Sequence, residues 1–244
     1  MKKKTAFLLG TLGWLMLLFA LLLGAVRDVG LDPQVYYDLQ REAGVHETAG
    51  ISEANLLQLD VSLANYLAGK YDDPNLEIEV YGEMQPAFNE RELIHLEDCR
   101  RLFAPTMSLW LNIGLAVVGV ALLVPLGERG FTMNNIGTVW LAAAVLALPI
   151  AILAVWAAID FSAAFDLFHR LLFTNELWML NPETDLLIRI CPASMFANMG
   201  MHIGILCGLI LIGLPLLTTV LHKLDNEEKR KTHNVPAEPL PMLG

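Results

Sequence analysis

Two histidines are the residues best placed by type and spacing to do chemistry. His95 lies in Asn89-Glu90-Arg91-Glu92-Leu93-Ile94-His95-Leu96-Glu97-Asp98, and His169 in Phe165-Asp166-Leu167-Phe168-His169-Arg170. Each has a carboxylate three residues away, Asp98 after His95 and Asp166 before His169. Positions three apart share a helix face, so such a carboxylate can fix an imidazole tautomer or raise its pKa. Those are the needs of a general base or acid. Plainer readings stand beside these. Arg91, His95, Asp98 and Leu102 could form an exposed polar face, and His169 could pack at an interface beside Phe165 and Phe168. His202 is a third imidazole that could join the site. A zinc ion held by His95, His169 and His202 has little support, because no H-E-x-x-H or similar local spacing is present. No metal and no cofactor is expected.

The segments that must position these histidines alternate with apolar runs. Four runs, near 5–26, 107–126, 137–159 and 201–221, have the length of about 20 residues needed to cross a hydrocarbon core. With charge-rich stretches between them, they predict a mainly α membrane protein of four transmembrane helices. The chain divides accordingly. Residues 1–26 form an N-terminal anchor and first span, and 27–106 a cap of helices plus a short strand. Residues 107–159 hold spans two and three, 160–200 a second helical segment, and 201–244 the fourth span with its tail. The first run is longer than a secretory h-region and no A-x-A site closes it, so it reads as a retained anchor.

Orientation follows Lys and Arg density. Lys2, Lys3 and Lys4 precede span one, Arg129 lies between spans two and three, and Lys223, Lys229, Arg230 and Lys231 follow span four. Both termini are therefore expected in the cytoplasm, and both long segments, with their histidines, outside. Arg27 argues mildly the other way. The net charge of −10 gives no reason to expect a nucleic-acid partner. Of three cysteines, Cys99 and Cys191 fall in the outer segments, where they can form a disulfide or remain two free buried thiols. There is no C-x-x-C.

Within the cap, Ser52 is placed to N-cap a helix reaching about Leu67. Tyr71-Asp72-Asp73-Pro74-Asn75 reads as a turn. Leu76 to Tyr81 alternates as a strand. Asn89 with Glu92 resembles a capping box opening a helix to about Phe103. In the second segment, Phe161, Phe165, Phe168 and Leu172 give an aromatic helix face that continues the third span. With Gly114 and Gly204 it could line an apolar groove open to lipid. Asn181-Pro182 is expected to start a short helix, and Cys191-Pro192 to end it. The tail beyond about Leu224 reads as disordered.

These stretches resemble the bacterial four-span family of lipoprotein intramolecular transacylases, Lit. The likeness is carried by Glu92-Leu93-Ile94-His95-Leu96-Glu97-Asp98 before the second span. It is carried also by Phe168-His169-Arg170-Leu171-Leu172-Phe173-Thr174-Asn175-Glu176-Leu177-Trp178 and Asn181-Pro182-Glu183-Thr184-Asp185 after the third. Cys99 departs from the family, which usually has a small aliphatic residue there. The resemblance implies a bacterial cytoplasmic-membrane enzyme acting on diacylated lipoproteins drawn from the surrounding membrane lipid. It would move the sn-2 acyl chain of the diacylglyceryl cysteine to that cysteine's own α-amino group, leaving a lyso-form lipoprotein. His95 and His169 would be catalytic, with Asp98 orienting His95. Arg170, Arg189, Trp178 and Asn175 would bind substrate or the oxyanion. Two other functions compete: a non-catalytic membrane protein whose acidic cap binds a partner, and, more remotely, a metal-dependent membrane hydrolase.

Overall fold

The computed structural model describes residues 3–106, 108–128 and 136–233. In chain order, α1 (Lys3–Gly30) is followed by α2 (Pro33–Glu42), α3 (Val45–Ala49) and α4 (Glu53–Leu67). A hairpin, β1 (Glu77–Val80) and β2 (Glu83–Pro86), leads to α5 (Glu90–Thr106) and α6 (Leu109–Glu128). Then come α7 (Gly137–Ile159), α8 (Phe161–Leu172), α9 (Leu186–Ile190) and α10 (Ala193–His233). Four stretches are long and apolar enough to cross a membrane: Lys3–Gly30, Glu90–Val124, Gly137–Ile159 and Ala193–Lys231. The apolar part of the second is α6, because α5 carries Arg91, Glu92, Glu97, Asp98, Arg100 and Arg101. The protein is an integral membrane protein, and the remaining elements cap one end of its bundle.

Helix α1 packs against α6, α7 and α10. Lipid tails are as apolar as leucine, so packing between spans depends on close approach at small residues. Gly13 and Gly119 supply it. A Cβ on Gly119 would lie 2.9 Å from the Gly13 carbonyl oxygen and 3.0 Å from the Leu17 nitrogen. The cap has its own core, in which Leu56, Leu59, Leu63, Ile78, Phe88, Ile190 and Met195 are almost fully buried.

Local sequence signals account for most of the cap. The Ser52 hydroxyl accepts from the Asn55 amide at 3.2 Å and caps α4. Asn89 and Glu92 form a reciprocal box: the Asn89 amide donates to Glu92 Oε2 at 2.8 Å, and the Glu92 amide to Asn89 Oδ1 at 3.1 Å.

Several boundaries differ from the sequence reading. The predicted strand gains an antiparallel partner, β2, joined through Tyr81 and Gly82, both at positive φ. Tyr81 is held in that conformation by its amide bond to the Gly50 carbonyl and its hydroxyl bond to the Thr48 carbonyl. Helix α8 does not run on from α7. Asp160 leaves helical geometry (φ −148, ψ 89) and its carboxylate caps the Ala163 amide. Asn181-Pro182 opens a turn rather than a helix, and α9 starts at Leu186 behind Asp185. Helix α10 continues to His233, past Leu224, where disorder was expected. The expected disorder of 234–244 and the loop around Arg129 lie outside the described residues.

One buried polar pair ties the cap together. Gln40 Nε2 donates to Asp60 Oδ1 at 3.0 Å and to the Ile190 carbonyl at 2.9 Å, and both side chains are fully buried. Gln40 Oε1 and Asp60 Oδ2 have no protein partner. Burial pushes Asp60 up to about 7, only partly offset by the Gln40 bond. A raised folded-state carboxyl pKa means that the fold binds the proton more tightly than the unfolded chain does. Stability from this group is full below the ordinary pKa of 3.8 and is lost as pH rises to about 7. The linked loss is about 4 kcal/mol. The thermal midpoint in detergent should therefore fall between pH 5 and pH 8, and Asp60→Asn, which stays neutral and can donate to Gln40, should flatten that slope. An unchanged slope in the variant would place the titration elsewhere.

Candidate active site

Helix α5 and the segment running from α8 to α9 meet at the site. Glu92, 1% exposed, accepts from the Leu187 amide at 2.6 Å, so a carboxylate of the α5 cap also caps the first turn of α9. Asn89 Nδ2 donates to Asp185 Oδ1 at 2.8 Å, while Asp185 Oδ2 accepts from the Asn181 amide at 2.7 Å. The bonds made by Glu92 and Asn89 join positions 95 and 96 residues apart in sequence. They fix the start of α5 against the second segment.

The two imidazoles come together, their ring centroids 6.1 Å apart and both side chains buried. His169 Nδ1 lies 2.7 Å from the Phe165 carbonyl, one turn back on α8. A carbonyl only accepts, so Nδ1 carries the proton there and the neutral ring presents Nε2 as a proton acceptor. Four aromatic rings surround His169: Trp178 stacked at 4.9 Å, Phe165 at 4.2 Å, Phe168 at 5.5 Å and Phe173 at 5.7 Å. Phe173 also meets His95 edge-on at 5.2 Å.

Burial holds both rings neutral. His95 is lowered to about 4, first by desolvation and then by the neighbouring His169, with Asp98 offsetting part of the effect. His169 is lowered by desolvation, against the Phe165 carbonyl bond and Asp166. Both are unprotonated near neutral pH. The pair can accept a proton at one ring and donate a hydrogen bond from the other.

The remaining sequence candidates divide. Trp178 is in the site, but its face lies on His169. Asn175 is held by Asp98, with Nδ2 donating to Asp98 Oδ2 at 2.7 Å. Among the described residues no hydrogen bond joins Asp98 to His95; its charge raises the His95 pKa while its carboxylate holds the start of the 175–177 turn. Arg170 is exposed and makes no hydrogen bond or ion pair among the described residues. Arg189 points elsewhere, to the Ala49 carbonyl at 3.5 Å and over the Tyr81 ring at 5.8 Å. His202 is exposed on α10 and makes no ring contact with the pair. Among the described residues, no group of three His, Cys, Asp or Glu is placed to hold a metal ion.

Cys99 and Cys191 are free thiols. Cys99 Sγ lies 3.6 Å from His95 Nε2, a contact the sequence reading missed, although the i, i+4 spacing on α5 allows it. Burial pushes the thiol up to about 12, so it remains protonated beside the imidazole and lacks the thiolate character of an activated nucleophile. Arg91, on the His95 face of α5 as helical spacing predicts, reaches across to the second segment. Its guanidinium donates to the Glu176 and Met179 carbonyls at 3.0 and 2.8 Å.

A family model described as lipoprotein intramolecular transacylase Lit matches residues 11–196. The chain belongs to the Lit family. It is thereby an enzyme of the transacylase class, with a lipoprotein substrate implied by the family's name. Solved structures of the membrane-integral lipoprotein intramolecular transacylase Lit from Bacillus cereus share its fold. One is 21% identical with a TM-score of 0.65, covering 94% of this chain and 98% of that one. A second, with a histidine replaced by arginine, is 20% identical with a TM-score of 0.66 and covers 94% of each chain. A third, with a histidine replaced by alanine, is 21% identical with a TM-score of 0.64 and covers 94% and 96%. No curated protein matches the chain.

Proposed function

We propose that this Lit-family enzyme moves the sn-2 acyl chain of a diacylglyceryl-cysteine lipoprotein onto the α-amino group of that same cysteine. The product is a lyso-form lipoprotein, with one chain on glycerol and one on nitrogen. The observation that carries the reading is the buried His95–His169 pair, with centroids 6.1 Å apart and both rings held neutral.

The chemistry needs four things. The neutral amine must shed a proton as its C–N bond forms, the ester carbonyl must be polarised, the glyceryl oxygen must take up that proton as its C–O bond breaks, and the two ends must meet. His169 Nε2, freed by the Nδ1 bond to Phe165, is the base for the amine. The His95 N–H polarises the carbonyl. The proton gathered at the pair returns to the leaving oxygen. Nitrogen and carbonyl carbon close a ring of about eight atoms, so orientation supplies several kcal/mol of the barrier reduction. The aromatic walls hold the substrate's reacting ends and exclude water that would otherwise hydrolyse the ester.

In this reading the site opens on the outer face of the bacterial cytoplasmic membrane, with both termini inside, as the Lys2–Lys4 cluster suggests. The acyl chains stay in lipid, since exposing each CH₂ to water costs about 0.8 kcal/mol. Phe165, which meets His169 at 4.2 Å, also packs on Phe161 and Phe196 at 5.5 and 5.3 Å, and this aromatic cluster supports an apolar entry.

Incubating the purified protein with a synthetic diacylated lipopeptide tests the reading. Tandem mass spectrometry should find one acyl group moved to the cysteine nitrogen with total mass unchanged. Release of free fatty acid instead would make the protein a hydrolase.

A further inference from the structure

Arg91 sits one helical turn before His95 on α5 and reaches across to the 174–180 segment. One nitrogen of its guanidinium, Nη2, donates to the carbonyls of Glu176 and Met179, at 3.0 and 2.8 Å. Those two carbonyls flank Leu177 and Trp178. Two turns further along the same face of α5, Asp98 accepts from Asn175 at 2.7 Å. The segment is therefore fastened to α5 at two points that straddle His95. Between them the Trp178 indole lies nearly parallel to the His169 ring, at 4.9 Å and 29°.

We propose that Arg91 is a positioning residue for the reaction: by clamping the carbonyls on either side of Trp178, it keeps the indole flat on His169. This rests on the assignment of His169 as base made above. The indole does two things there. It fixes the plane of the imidazole, so that Nε2 keeps one direction through the reaction. It also keeps water off that ring. Neither needs Arg91 to touch substrate. An arginine suits the task because a charged donor to two carbonyls gives stronger, shorter bonds than a neutral one. Lysine could also donate to both from its one nitrogen, but that ammonium is strongly hydrated and sits on a flexible stem, whereas the planar guanidinium holds its donors in a fixed direction.

The test uses the full-length protein with Arg91→Ala, Arg91→Lys and Trp178→Phe. With the diacylated lipopeptide, Arg91→Ala should lower kcat by about ten- to a hundredfold, the loss expected for an ångström-scale misplacement, with KM nearly unchanged. Because burial is the largest cause lowering His169, admitting water should move the acid limb of the pH–rate profile upward, toward an ordinary histidine. Arg91→Lys should fall between wild type and Arg91→Ala.

A second readout does not depend on activity. A protonated imidazole in contact with indole quenches its emission. The part of the fluorescence lost in Trp178→Phe should titrate with acid in the wild type and stop titrating in Arg91→Ala. Wild-type kcat, pH profile and emission titration in Arg91→Ala would overturn the proposal. So would a loss of kcat that leaves the pH limb and the emission unchanged, since that is the mark of a structural role alone. If the wild type forms no lyso-form product, the functional reading fails, and the emission titration still decides the clamp.

Discussion

His95→Ala and His169→Ala should each remove nearly all lyso-form product while the protein still accumulates in the membrane. The reading gives the rings different tasks on one reacting centre, so neither can cover for the other. Positioned acid–base groups contribute about 10²- to 10⁴-fold each, and losses on that scale are expected for either variant. The double variant should be little worse than the single ones, because groups that act as a unit are non-additive. Initial rates with the lipopeptide, alongside membrane protein level, check this. Full activity in both single variants would discard the histidine pair. Asp98→Asn should be milder, since Asp98 holds Asn175 and acts on His95 only through its charge.

Acetylating the α-amino group of the substrate cysteine should stop the reaction entirely. No nucleophile of the protein's own is invoked. Cys99, the thiol nearest the pair, is kept protonated by burial, and the substrate amine is the only attacking group in the scheme. An acetylated amine has no lone pair available to attack. The acetylated lipopeptide should remain intact and should compete with the free-amine substrate. Loss of its sn-2 chain, or an acyl group found on the enzyme, would mean covalent or hydrolytic chemistry instead.

What the sequence revealed was mostly local. The Ser52 cap and the Asn89–Glu92 box are signals within one helical turn, and both occur where the pattern placed them. The four spans follow from length and apolarity. Features that failed depend on partners distant in sequence. Tyr81 takes a positive φ because Gly50 and Thr48 hold it, some thirty residues away, so nothing in Tyr81-Gly82 alone announced the second strand. Asp160 breaks α7 from α8 by capping Ala163, a role hidden within an otherwise helical run.

The site shows the same division. The shared face of Arg91, His95 and Asp98 was legible from helical spacing. That Asp98 also holds Asn175 was not, because the partner lies 77 residues on. Arg170 and Arg189 illustrate the limit of charge as a guide: both are cations near the right segment, but one is exposed and the other faces Ala49 and Tyr81.

The central claim is that acyl transfer stays within one substrate molecule. Two diacylated lipopeptides, one with a deuterated sn-2 chain and one with an isotopically heavy peptide, would be mixed in equal amounts with the wild-type enzyme. Mass spectrometry of the N-acylated products should find the deuterated chain only on the light peptide and the ordinary chain only on the heavy one. Products carrying the deuterated chain on the heavy peptide would show transfer between molecules and contradict the account.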